Sequence, residues 1–116
     1  MNYTAIEEVP ENAPVLAGMF SLENHPVIIL FDSGATHNFI SGTYALGRRL
    51  RMEPMKTPHV IKTPGSDIVS KQLVRNAPLM LAGEVYKTTL IVLDNQGIDV
   101  ILGVGWMTMH LSLIHI

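Results

Sequence analysis

The 116-residue sequence contains no cysteine. That absence removes disulfides, thiolate metal sites and cysteine nucleophiles together. Aromatic residues make up only 6% and charged residues only 16%, which excludes a long acidic or basic disordered tail. Long apolar runs are missing too. The longest, Val27 to Phe31, has five residues against the ~20 that a helix needs to cross a bilayer. The first residues, MNYTAIEEVPEN, lack a basic segment followed by an apolar one, so they do not read as a secretion signal. These absences predict a soluble, cytoplasmic protein with no membrane partner. The 47% hydrophobic content suffices for one small domain, whose modest core would gain from an assembly partner.

Charge is unevenly distributed. All eight basic residues lie between Arg48 and Lys87, opposed there only by Glu53, Asp67 and Glu84, so this middle carries +5 while the remainder holds seven acids and no base. A basic middle raises the possibility of nucleic acid. Its bases are spread, however, except for Arg48, Arg49 and Arg51, and Tyr86 is its main aromatic, which leaves little for bases to stack on. No nucleic-acid partner is expected. The three arginines read as the end of a helix, where cations complement the dipole.

Residues 1–13 are polar and acidic and read as a lead-in or linker remnant. From Val15 onward, short apolar runs alternate with turn residues, the pattern of a small all-β domain. Pro14–Ser21 and Pro26–Phe31 predict a hairpin turning at Glu23, Asn24 and His25. Val27 to Phe31, apolar on both faces, predicts a central buried strand. Ser41 is placed to cap a short helix reaching Leu50. His59–Thr63 and Ile68–Leu73 flank Pro64 and Gly65, a type II turn signal; the polar flanks predict a hairpin projecting from the body. Ala77–Leu81 and Glu84–Leu93 form a further pair around Ala82 and Gly83. Val100–Gly103 reads as a strand and Val104–Leu111 as a short helix.

Few residues are placed for chemistry. The histidines at 25, 37, 59, 110 and 115 form no metal-ligand pattern, and neither a phosphate-binding glycine loop nor a Gly-x-Ser-x-Gly turn is present. No metal or cofactor is expected. Asp32 remains, an acid at the end of an apolar strand and followed by Ser33 and Gly34. Asp-Ser-Gly is also ordinary turn chemistry, so the residues alone leave both readings open.

The run Ile28 to Ser41, IILFDSGATHNFIS, resembles the catalytic segment of retropepsins, the aspartic proteases of retroviruses and retrotransposons, and is most similar to the gypsy-type long-terminal-repeat elements. Gly97 to Trp106, GIDVILGVGW, resembles the family's second motif, and Thr63 to Ser66 stands where the family has its flap. One position and one segment depart from the pattern: Gly105 replaces a usual Asp, and Met107 to Ile116 does not match the family's continuation. The ion pair that retroviral members often carry is also absent, because Thr36 and Val104 occupy its positions.

The resemblance implies a small closed acid-protease barrel protomer, all-β, with a flap hairpin and one or two short helices, over residues 14–107, followed by an atypical tail at 108–116. It implies an aspartic endopeptidase with Asp32 catalytic, Ser33 and Gly34 supporting it, and Ala35, Thr36, Pro64, Gly65 and Ser66 contacting a polypeptide substrate, the element's own polyprotein. Only one Asp-Ser-Gly is present, so a two-carboxylate site requires a homodimer. A non-catalytic dimerisation or binding module of the same fold, or a decayed element fragment, stays open as the alternative.

Overall fold

The computed structural model describes residues 3–5, 15–16, 20–63, 65–94 and 97–110. Its strands are β1 (Tyr3–Ala5), β2 (Val15–Leu16), β3 (Phe20–Leu22), β4 (His25–Pro26), β5 (Ile29–Phe31), β6 (Phe39–Ser41), β7 (Glu53–Thr63), β8 (Ser66–Leu81), β9 (Glu84–Leu93) and β10 (Val100–Leu102). Two short helices complete it, α1 (Gly42–Gly47) between β6 and β7 and α2 (Val104–His110) after β10. All strands belong to one curled sheet in the order β1-β7-β8-β9-β6-β10-β5-β2, with β3 joined to β4 and β8.

Local chemistry sets most of the turns. Glu23 and Asn24 both take positive φ, 49° and 67°, in the two-residue turn from β3 to β4; this is the geometry whose twist matches paired strands. Ala82 and Gly83 do the same from β8 to β9. Gly65 has φ of +96°, as a type II turn demands of the residue after its proline position; Pro64 itself lies outside the described residues.

Besides Pro26–Phe31, which is divided between β4 and β5, and β7, which begins at Glu53 and not at His59, four elements differ from the sequence reading. Tyr3–Ala5, inside the expected lead-in, forms a strand parallel to β7, a pairing set by residues some fifty positions away that no local pattern reveals. Helix α1 stops at Gly47, a turn earlier than expected, with the amide of its C-cap Arg48 donating to the Tyr44 carbonyl and Arg49 turning the chain at φ of 56°; the expected end at the arginines thus holds for Arg48, while Arg49 and Arg51 lie beyond the helix. The two stretches read around residues 68–73 and 77–81 are one strand, β8, interrupted by a register shift between Val74 and Ala77. Asn76 there takes φ of 51°, which Asn tolerates because its side chain can bond locally. Finally, the stem of the β7–β8 hairpin is not all exposed: His59, Ile61 and Ser70 are buried, although the tip from Gly65 to Asp67 is exposed.

The core has two parts. The larger gathers Phe20, Leu22, Ile29, Leu79, Leu90 and Trp106 with others, while the smaller, with Leu30, Ala35, Phe39, Ile61, Ile91 and Ile101, lies under the segment that follows β5. Ser41 caps α1, its hydroxyl accepting from the Tyr44 amide, and the Tyr44 hydroxyl donates to the Pro26 carbonyl at 2.9 Å. Burial is the main reason the Tyr44 phenol is pushed above its usual pKa. All eight basic side chains are exposed, spread over α1's end and strands β7 to β9. No helix among the described residues is long and apolar enough to cross a membrane.

Helix α2 is fastened to the sheet by Trp106, whose indole N–H donates to the buried Thr88 hydroxyl at 3.1 Å. Trp106→Phe keeps most of the apolar contact but removes that donor and is expected to cost about 1–2 kcal/mol, measured by urea unfolding followed with circular dichroism.

Candidate active site

Asp32 sits where three strand ends meet. β5 leads into it, β6 resumes after residue 38, and β10 lies between these two strands, parallel to β5 and antiparallel to β6. Because Leu102 pairs with Phe31, β10 ends at the same level as β5, and the chain beyond it runs against the loop formed by residues 32–38. Main-chain bonds tie the two together: the Asp32 amide donates to the Leu102 carbonyl at 3.0 Å and the Val104 amide to the Ala35 carbonyl at 2.8 Å.

Gly103 is the point of closest approach. A Cβ there would stand 2.5 Å from the Ala35 carbonyl oxygen and 2.6 Å from that of His37, distances that no side chain can occupy. The Gly103 amide donates to the Asn38 side-chain oxygen at 2.8 Å, so the loop is held by a side chain as well as by backbone. Asp99, at the other end of β10, accepts from the Ile28 amide through Oδ2 at 2.8 Å, and its carbonyl accepts from the Ser41 amide. Its carboxylate therefore holds the chain entering β5, its main chain holds β6, and it stands at the opposite end of β10 from Asp32.

Within the loop, the Asp32 carboxylate accepts from the Gly34 amide at 2.8 Å, and the Ala35 amide donates to the Asp32 carbonyl. A Cβ at Gly34 would lie 3.2 Å from Asp32 Oδ1, so glycine leaves the carboxylate room to take this bond. Asp32 is half-buried, Ser33, Gly34 and Thr36 are exposed, and Ala35 is fully buried. A carboxylate fixed in orientation and flanked by exposed small residues can meet a second surface closely. Gly65 and Ser66 lie at the exposed hairpin tip; the hairpin touches the loop through its stem.

That stem contact was not legible in the sequence. The rings of His37 and His59 stand edge to face with centroids 4.4 Å apart, the Thr36 hydroxyl lies 3.1 Å from His37 Nδ1, and His59 is only 2% exposed. Burial, with the His37 charge as a smaller cause, pushes the His59 imidazole below its ordinary pKa of 6.5. A groove of about 590 Å³ opens beside them, lined by Thr36, His37, Met55, His59 and Trp106 among others. Among the described residues no three His, Asp or Glu side chains gather into a metal site. The structural roles of Asn38, Gly103 and Asp99 have no sequence signal beyond inclusion in the two motifs.

Comparison with known proteins is decisive at this point. The family model for the retroviral aspartyl protease matches residues 1–116. The chain belongs to the retroviral aspartyl protease family. Among solved structures, EIAV protease complexed with the inhibitor HBY-793 is similar at a TM-score of 0.68 and 18% identity, over 91% of this chain and 94% of that one. The retroviral protease-like domain of Ddi1 from Leishmania major is similar at a TM-score of 0.60 and 18% identity, over 86% and 79%. At these identities the likeness establishes the fold, a mostly β retropepsin-like sheet with two short helices. Comparison with curated proteins gives no match.

Two outcomes test this geometry. Gly103→Ala forces a methyl against two backbone oxygens and is expected to destabilise the fold by about 2–4 kcal/mol, whereas Gly47→Ala, with nothing within 4 Å, is expected to be near neutral in the same denaturation series. For His59, the lowered pKa means that the unfolded chain binds the proton more readily. Its contribution to stability is therefore complete above pH 6.5 and lost as pH falls through the lowered value. The thermal midpoint is expected to drop below pH 6.5, and His59→Phe to flatten that drop.

Proposed function

We propose that the chain is one protomer of an aspartic endopeptidase that acts as a homodimer, with Asp32 supplied by each copy across a two-fold axis. The observation that carries this reading is the Asp32 carboxylate held by the Gly34 amide on a loop whose outer residues, Ser33 and Gly34, are exposed. Two carboxylates brought that close cannot both ionise, so they share a proton and act as one base and one acid. The base takes a proton from water, which attacks the peptide carbonyl; the acid protonates the carbonyl oxygen and then the leaving nitrogen. Asp99, engaged with Ile28, is unsuited to serve as an internal second acid, which leaves a second copy as the source.

In this reading Ser33 bonds across the dyad, Gly34 orients the carboxylate, and Ala35 and Thr36 present backbone to an extended polypeptide. Pro64, Gly65 and Ser66 form the flap tip that closes over it and excludes water. Residues 14–107 carry the catalytic body, together with β1 ahead of it and the end of α2 behind it. The substrate is the polyprotein of a gypsy-type retrotransposon, the setting is cytoplasmic, and no cofactor takes part. A non-catalytic module of the same fold is the second reading, favoured by Gly105: the site of the family's usual Asp has nothing within 4 Å of a Cβ, so packing does not explain the glycine.

Asp32→Asn is expected to lower peptide cleavage by a factor of about 10²–10⁴ or more, with the fold unchanged by circular dichroism. Specific activity is expected to fall on dilution as protomers separate. Cleavage that survives Asp32→Asn, or a strict monomer in sedimentation at high micromolar concentration, sinks the proposal.

A further inference from the structure

Strand β1 lies on the edge of β7 in parallel, with Tyr3 opposite Val60, Thr4 opposite Ile61 and Ala5 opposite Lys62. The other edge of β7 at these residues belongs to β8, with Val60 opposite Val69 and Ile61 opposite Ile68. This stretch of β7 is also the part of the hairpin that rests on the Asp32 loop. His59 meets the His37 ring, and Ile61 is fully buried in the cluster that contains Leu30 and Ala35. The one edge of β7 open to an incoming strand near Asp32 is thus held by a segment of the chain itself.

We propose that this edge of β7 is a docking edge for an extended peptide, and that Tyr3–Ala5 is its resident occupant, which an incoming strand must displace. An open strand edge binds any extended chain through main-chain hydrogen bonds, so the chemistry of the site is that of a β-strand and not of one side chain. The occupant is suited to exchange. It is three residues long, its pairing is parallel, which is the less stable arrangement per residue, and short elements of this kind open with little free energy. It is also well placed to compete. Nine residues separate Ala5 from Val15 in the sequence, a tether short enough to keep β1 at an effective concentration in the millimolar range. A peptide binding in the same place sees its affinity reduced accordingly. The proteolytic reading supplies the fate of the bound peptide, and the docking edge does not depend on it.

The test uses the full chain carrying Asp32→Asn and a fluorescein-labelled peptide of residues 1–13 added in trans. Thr4→Pro, or Tyr3→Pro with Ala5→Pro, removes backbone donors from β1. These variants are expected to bind the peptide about tenfold more tightly than the chain with an intact β1. In hydrogen exchange, the amides of Val60 to Lys62 are expected to exchange faster in the variants and to slow again when peptide is added. In chains retaining Asp32, the same variants are expected to lower KM for peptide cleavage at unchanged kcat. Glycine at positions 3 and 5 replaces proline if the proline variants do not fold. Variants that bind the peptide no better, or not at all, overturn the proposal. Tighter binding without any Asp32-dependent cleavage upholds the docking edge and rejects the protease reading; Asp32-dependent cleavage with unchanged peptide affinity and KM does the reverse.

Discussion

A strand inserted between two others that the chain has already joined ends against the connection between them and must pack closely as it passes. β10 occupies that position between β5 and β6, and the Asp32 loop is the connection. Everything at the site follows from this passage. Gly103 is bare because the Ala35 and His37 carbonyl oxygens leave no space for a methyl. Asn38 turns its side chain inward to receive the Gly103 amide, and Ala35 is buried because Val104 bonds beneath it. The acid is held from below by the strand passing under it, which allows the outer residues of the loop to remain exposed.

The same arrangement divides the acids by role. Asp32 stands at the open end of β10 and Asp99 at its closed end, and each carboxylate accepts from a backbone amide. The Asp99 carboxylate accepts from the Ile28 amide and its main-chain carbonyl from the Ser41 amide, so the residue serves the frame. The half-buried Asp32 carboxylate takes its bond from the Gly34 amide of its own loop. Two chemically identical groups thus acquire different tasks from the register of one strand.

The parts of this fold that local chemistry dictates were legible in the sequence. Asp32, Ser33 and Gly34 at the end of an apolar strand, the turns at Glu23–Asn24 and Ala82–Gly83, and the Ser41 cap each depend on neighbours within a few residues. The parts that were not legible depend on distant pairing. Tyr3–Ala5 finds β7 across more than fifty residues, His37 finds His59 because the hairpin stem folds back, and Asp99 reaches Ile28 across 71 positions. The continuity of β8 was hidden for a different reason: Arg75 and Asn76 interrupt the alternation as a bulge does, so one strand reads as two.

The distance between Ile28 and Asp99 also sets an order of assembly. Contacts between residues so far apart are made late, because the chain between them must first give up its freedom. Hairpins such as β8–β9 can form from neighbouring residues, but the floor of the Asp32 loop does not exist until residues 99–104 arrive between β5 and β6. The carboxylate's own bond to the Gly34 amide is local, but the support beneath its loop is completed only when this last strand docks.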